Sequence, residues 1–170
     1  MFYNIEINLD TKVPKHVVVF GKILDRQKNY SNSCIRHIYS HKNSKYILKL
    51  DCDPNNLTES EENLKCHSLK EFLLWEKIST TKDSKYFVPI EYFGGIVERT
   101  FIVQKKEKFI KSQIFDENIV NVVFELAEKY KLNDVCIEKQ SNNDSSNNLW
   151  YFHNVGLLSY NTFKIFDYGL

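Results

Sequence analysis

Short apolar blocks punctuate the chain, and their period changes in a definite order. Val17-Val18-Val19-Phe20 and Ile23-Leu24 predict the start of a strand around Gly21. Cys34 to Tyr39 and Tyr46-Ile47-Leu48-Lys49-Leu50 predict two more strands, joined by the polar turn His41-Lys42-Asn43-Ser44. Asp51 to Glu62 is polar, carries Pro54-Asn55-Asn56 and reads as a loop. Thr58-x-x-Glu61 and Ser68-x-x-Glu71 both match a capping box, so two starts are open for the helix that follows. From Ser68 the spacing of Leu69, Phe72, Leu73, Trp75 and Ile78 is helical.

Tyr86-Phe87-Val88-Pro89-Ile90 and Ile96 to Val103 then predict an antiparallel pair turning at Gly94-Gly95. A second helix is expected from the cap Asp116, with Ile119, Val122, Val123, Leu126 and Tyr130 on one face. Ser141 to Asn148 is an Asn/Ser/Asp tract with little to bury and reads as a mobile loop. Trp150-Tyr151-Phe152, Val155 to Leu158, a turn at Tyr160-Asn161 and a last strand, Thr162 to Phe166, complete the chain. Strands, helix, strands, helix and hairpin in that order predict an antiparallel α+β domain.

Composition narrows the function classes. At 170 residues with 42% apolar content, one domain's worth of chain can bury a core. A net charge of +1 gives no general pull toward nucleic acid or membrane, and the run Lys105-Lys106, Lys108, Lys111 suits a solvated loop edge. No window approaches the roughly 18 apolar residues of a membrane span. Cys34, Cys52, Cys66 and Cys136 are scattered without a C-x-x-C pair, which fits reduced, mostly buried thiols and a cytoplasmic setting.

The ending Phe166-Asp167-Tyr168-Gly169-Leu170 carries the most chemistry. A strand that delivers an Asp and then a Gly is suited to holding a divalent metal against a phosphate. Phosphoryl transfer also needs a cation for the phosphates and an anion to hold that cation, and Lys49 and Glu71 precede Asp167 in that order. Singly, each residue has a plainer reading: Lys49 and Glu71 a surface ion pair, Asn154 a turn residue, Asp167 a terminal acid.

Taken together, Tyr46-Ile47-Leu48-Lys49, Glu71, Tyr86 to Ile90, Thr100 to Gln104, His153-Asn154-Val155-Gly156 and Asp167-Tyr168-Gly169 resemble the ordered motifs of protein kinases. The style is similar to the small kinase-like proteins of bacteriophages and other large DNA viruses. The resemblance implies a kinase-like N-lobe, an antiparallel sheet plus one helix, over about residues 1–104. A hinge and a minimal remnant of the C-lobe would occupy 105–170. It implies ATP at Lys49, Glu71 and Gln104, and Mg2+ at Asn154 and Asp167.

The pattern also departs from the family. The stretch Gln27 to Cys34, where the phosphate-covering loop belongs, has no glycine. Counting back five positions from Asn154 to the catalytic Asp gives Leu149, which cannot accept a proton. Asp134 and Asp144 are the nearest carboxylates; Asp144 and His153 are the substitute candidates. Little follows Asp167, so the activation segment and substrate lobe of a kinase are not expected. Two functions are therefore open. One is a truncated, catalytically impaired kinase-like protein that binds another chain, or itself, through the reduced C-lobe face. As a viral protein it would act on host factors in the host cytoplasm or sit in a virion. The other is a minimal ATP/Mg-dependent phosphotransferase using Lys49, Glu71, Asn154 and Asp167.

Overall fold

The computed structural model describes residues 4–8, 13–27, 36–53, 55, 66–111, 115–132, 135, 137–140 and 149–168. The chain forms two compact units, Met1–Leu73 with Pro89–Lys106, and Leu74–Val88 with Glu107–Leu170. Together they make a mixed α+β architecture.

The first unit is built on seven antiparallel strands. These are β1 (Ile5–Glu6), β2 (His16–Val19), β3 (Lys22–Arg26), β4 (Arg36–Ser40), β5 (Tyr46–Asp51), β6 (Ile90–Ile96) and β7 (Arg99–Lys105). They lie in the order β1-β2-β3-β4-β5-β7-β6, so β7 is inserted between β5 and its own hairpin partner. Helix α1 (His67–Ser79) connects β5 to β6 through the sequence. Period-two alternation sends Val17, Val19, Leu24, Tyr39, Leu48, Leu50, Phe101 and Val103 into one core. Each such side chain contributes about 1.5–3 kcal/mol on burial.

Two turns differ from the sequence reading. Around Gly21 there is a tight hairpin and not one strand: Val19 pairs with Lys22, and Phe20 and Gly21 take φ of 50° and 73°. A two-residue hairpin loop needs that left-handed backbone, and Phe20 adopts it beside glycine. The β6–β7 turn falls at Val97-Glu98, with φ of 42° and 61°, and not at Gly94-Gly95. Gly94 lies inside β6 because a Cβ there would come within 2.6 Å of the Phe101 ring. Its glycine serves a close cross-strand approach, which a local reading takes for a turn.

The second unit contains a 3-10 turn at Lys82–Tyr86, helix α2 (Glu117–Tyr130), and strands β8 (Ile137–Gln140), β9 (Leu149–Phe152), β10 (Val155–Ser159) and β11 (Thr162–Ile165). Two hairpin-like pairs form, β8 with β9 and β10 with β11. The hydrophobic pattern gives no sign of β8. The tract Ser141 to Asn148 lies outside the described residues. Asp116 caps α2 as expected, its side chain accepting from the Asn118 backbone N–H at 2.8 Å. The buried face is Ile119, Val120, Val123 and Leu126; Val122 and Tyr130 are only half-buried. Residues 86–88, expected in a strand, leave the 3-10 turn and dock beside β11. There the Val88 N–H donates to the Ile165 carbonyl at 2.9 Å.

Asp83 ties the 3-10 turn to α2. Its carboxylate accepts from Lys129 Nζ at 2.6 Å and from Tyr130 Oη at 2.8 Å. These bonds, the Lys129 one foremost, hold Asp83 below the usual carboxylate range, and the Asp83 bond raises Lys129. No helix among the described residues is long and apolar enough to cross a membrane.

The packing of the second unit can be probed at Gly156 and Asp83. A Cβ at Gly156 would overlap the Phe109 ring, whereas one at Gly95 meets only the Arg99 carbonyl at an ordinary 3.6 Å. Gly156→Ala should cost about 1–3 kcal/mol in urea denaturation, and Gly95→Ala should be close to neutral; equal effects would contradict the tight Phe109 contact. Native pairing lowers Asp83 below its unfolded value of about 3.9, so its contribution is present above that pH and lost as pH falls through the native value. Asp83→Asn should therefore lower stability at pH 7 and flatten the loss of stability below about pH 4. An unchanged acid limb would remove Asp83 from that role.

Candidate functional site

Strand β5 turns two faces in opposite directions. Leu48 and Leu50 enter the apolar core, while Lys49 and Asp51 emerge on the other face with α1. Buried charge on that face requires partners, because desolvating an ion costs several kcal/mol unless its hydrogen bonds are replaced.

Glu71, in the second turn of α1, is fully buried and collects three donors. Lys49 Nζ donates to Oε1 at 3.1 Å, with Oε2 at 3.5 Å. Arg36 Nη1, from β4, donates to Oε2 at 2.5 Å. Gln104 Nε2, from β7, donates to Oε1 at 2.9 Å. The Lys49 side chain is only 4% exposed and that of Arg36 only 5%. The other amide atom of Gln104, Oε1, is buried and has no hydrogen-bond partner among the described residues. The amide orientation is therefore set by Glu71, since a flip would turn a carbonyl oxygen onto a carboxylate.

Asp51 completes the face. Its carboxylate accepts from the Ser68 backbone N–H at 3.1 Å and from Ser68 Oγ at 2.6 Å, and Thr100 Oγ1 donates to it as well. An anion on the first-turn N–H groups of α1 is favoured by the helix dipole. This cap comes from another strand, so Ser68 and Glu71 do not form the local capping box: Ser68 donates to Asp51 and Glu71 turns to the cations. The other box, Thr58 to Glu61, lies outside the described residues. Among the described residues this face brings the buried cations Arg36 and Lys49 against the buried acids Asp51 and Glu71.

Of the residues singled out in the sequence, the first unit brings together Lys49, Glu71 and Gln104. Arg36 is a member that the sequence motifs do not reveal. Its only signal is register, since β4 pairs Arg36 with Asp51, which puts a cation directly across from an acid of β5.

The second unit brings Asn154 and Asp167 to one end of the β10–β11 pair. Val155 pairs with Ile165, and the Phe166 N–H donates to the Asn154 carbonyl at 3.0 Å. Asn154 has φ of 60°, a left-handed conformation that Asn tolerates better than most residues, so a turn role accounts for its identity by itself. Both residues are half-buried and offer oxygen donors, a carboxylate and a side-chain amide, which suit a hard divalent cation such as Mg2+. Tyr168 is 1% exposed; its hydroxyl donates to the Val88 carbonyl at 2.8 Å and its ring meets Phe87 edge-on at 5.1 Å. The buried Tyr168 hydroxyl thus has a partner.

Leu149 opens β9, paired with Gln140. His153 is exposed in the bend between β9 and β10. Asp134, Asp144, Gly169 and the stretch Lys28 to Ile35 lie outside the described residues.

No family model matches this chain, and neither the curated proteins nor the solved structures compared with it yield a match.

Removing one member of the cluster leaves the others buried and uncompensated. Glu71→Ala should cost about 3–5 kcal/mol in urea denaturation, because two cations lose their shared anion. A loss below about 1 kcal/mol would mean that the ions are in effect solvated, and would remove the cluster as an anchor of α1.

Proposed function

We propose that the chain is a kinase-like module that uses the Lys49–Glu71 pair to hold its fold, does not transfer phosphate, and acts by binding another protein. The observation that carries the kinase-like part of this reading is the buried pairing of Lys49 with Glu71. In kinases the strand-three Lys pairs with a helix Glu and also presents its ammonium to the nucleotide phosphates. Here a strand, β5, ends near Lys49, the next helix supplies Glu71, and two more strands lead to Gln104. The order of parts supports kinase ancestry.

The Lys49–Glu71 pair is common to active kinases and does not by itself argue against phosphate contact. Loss of catalysis is argued from Leu149, since its side chain can neither orient a hydroxyl nor take its proton. For a binding role the second unit offers Phe124, 40% exposed on α2, with its ring 6.5 Å from that of Phe152. Exposed aromatic side chains are enriched among the residues that dominate protein interfaces.

One observation favours the alternative, a minimal ATP/Mg-dependent phosphotransferase. Asn154 and Asp167 share one hairpin end and supply the donor types that Mg2+ takes. When bound, Mg2+ would neutralise phosphate charge there.

Thermal melting with and without millimolar Mg-ATP separates the two. We expect no change in Tm, and no label on the protein or on a generic protein substrate with radiolabelled ATP. A Tm rise that Lys49→Ala or Asp167→Ala abolishes, together with persistent labelling, would overturn the non-catalytic reading in favour of the phosphotransferase.

A further inference from the structure

Cys52 lies beside His37, on a part of the sheet that Arg26 and Arg99 also reach. Its Sγ is 3.6 Å from His37 Nε2, within hydrogen-bonding distance for sulfur. His37 pairs with Leu50 across β4 and β5, and Leu50 pairs with Phe101 across β5 and β7. Cys52 and Arg99 each stand two residues from that row, on the same side of the sheet. Arg99 is buried and holds Asp53 at 3.0 Å. Arg26, at the end of β3 and paired with Tyr39, is exposed on the adjacent strand. Among the described residues, the charged groups on this part of the sheet include Arg26 from β3, Arg99 from β7 and Asp53 from the thiol's own segment, the last matched by Arg99.

Burial disfavours the charged form of both groups, whereas nearby cations disfavour imidazolium and favour a thiolate. Burial first, then Arg26 and Arg99, lower the His37 pKa below its ordinary value. A neutral imidazole can accept the S–H hydrogen bond through Nε2, and cations that disfavour imidazolium favour a thiolate. Reactive cysteines occupy such electropositive, partly exposed places, and Cys52 is half-buried. Cys66 is the internal comparison, being more exposed.

We propose that Cys52 is a reactive thiol, with His37 as its proton acceptor, that exchanges with anionic low-molecular-weight disulfides. In the exchange Sγ attacks one sulfur of the disulfide RS–SR. The Cys52 S–S bond forms as the RS–SR bond breaks, the Cys52 proton passes to His37 Nε2, and the departing thiolate takes it up as RSH. Exposed Arg26 selects for carboxylate-bearing disulfides such as glutathione disulfide. The adduct stands one residue from Asp51, whose carboxylate caps α1, so modification loads the contact that positions the helix of Glu71.

The test uses the full chain treated briefly with glutathione disulfide, and separately with the cationic disulfide cystamine, at pH 6.5 to 8.5, followed by peptide mass mapping. Cys52 should react about tenfold faster than Cys66 with glutathione disulfide, and the advantage should be greatest at low pH, where an ordinary thiol of pKa about 8.5 is protonated. His37→Asn should lower the Cys52 rate to near that of Cys66. If His37→Asn does not fold, judged by near-UV circular dichroism, Arg26→Gln on the exposed strand end decides instead. It should slow glutathione disulfide several-fold and leave cystamine unchanged or faster. Cys66 reacting as fast as Cys52, or an Arg26→Gln effect equal for both disulfides, would overturn the proposal.

Discussion

The buried carboxylate of Glu71 governs the arrangement of the first unit. With no exposed surface it is sustained only by donors that match it, and Lys49, Arg36 and Gln104 come from three different strands to do so. Strands β4, β5 and β7 must therefore hold their register to within a hydrogen bond, since a slip of one residue would turn all three donors to the opposite face. The apolar core on the other side provides most of the burial. The ion cluster adds the specificity, because an apolar face tolerates small sliding and a charged one does not.

Asp51 extends the same logic to the helix. By capping α1 from β5 it fixes the start of the helix, and the start determines which turn carries Glu71 into the cluster. The two acids of this face thus have separate roles, Asp51 holding the helix end and Glu71 holding the strands. Thr100, donating to Asp51 from β7, links both to the β6–β7 hairpin.

The second unit is organised differently, by aromatic packing around a short extended segment. Phe87 is fully buried and meets the rings of Tyr130 and Tyr168 edge-on, while Val88 bonds Ile165 through its N–H and Tyr168 through its carbonyl. Asp167 follows directly from this anchored segment, between β11 and the buried Tyr168. Its position is therefore well determined by apolar neighbours, whatever its carboxylate binds.

Much of this is legible in the residue order. The alternation in β5, the helical spacing from Ser68, the Asp116 cap and the β10–β11 pair each depend on local periodicity or capping, which residues express where they stand. The pairing of Lys49 with Glu71 is instead an expectation of the resemblance to kinases, since the two lie in different elements. Local pattern cannot carry anything set by a partner distant in the chain. Arg36 reaches Glu71 only through strand register, and Gly94 proves to be a packing glycine only when the Phe101 ring lies opposite it. Ser68 has the look of a cap until Asp51 supplies a better one. The order of residues settles which segments alternate, which coil and which side chains have chemistry to offer. Which of those side chains are buried together is settled by packing in three dimensions, because the cost of burying a charge depends on the partners that meet it.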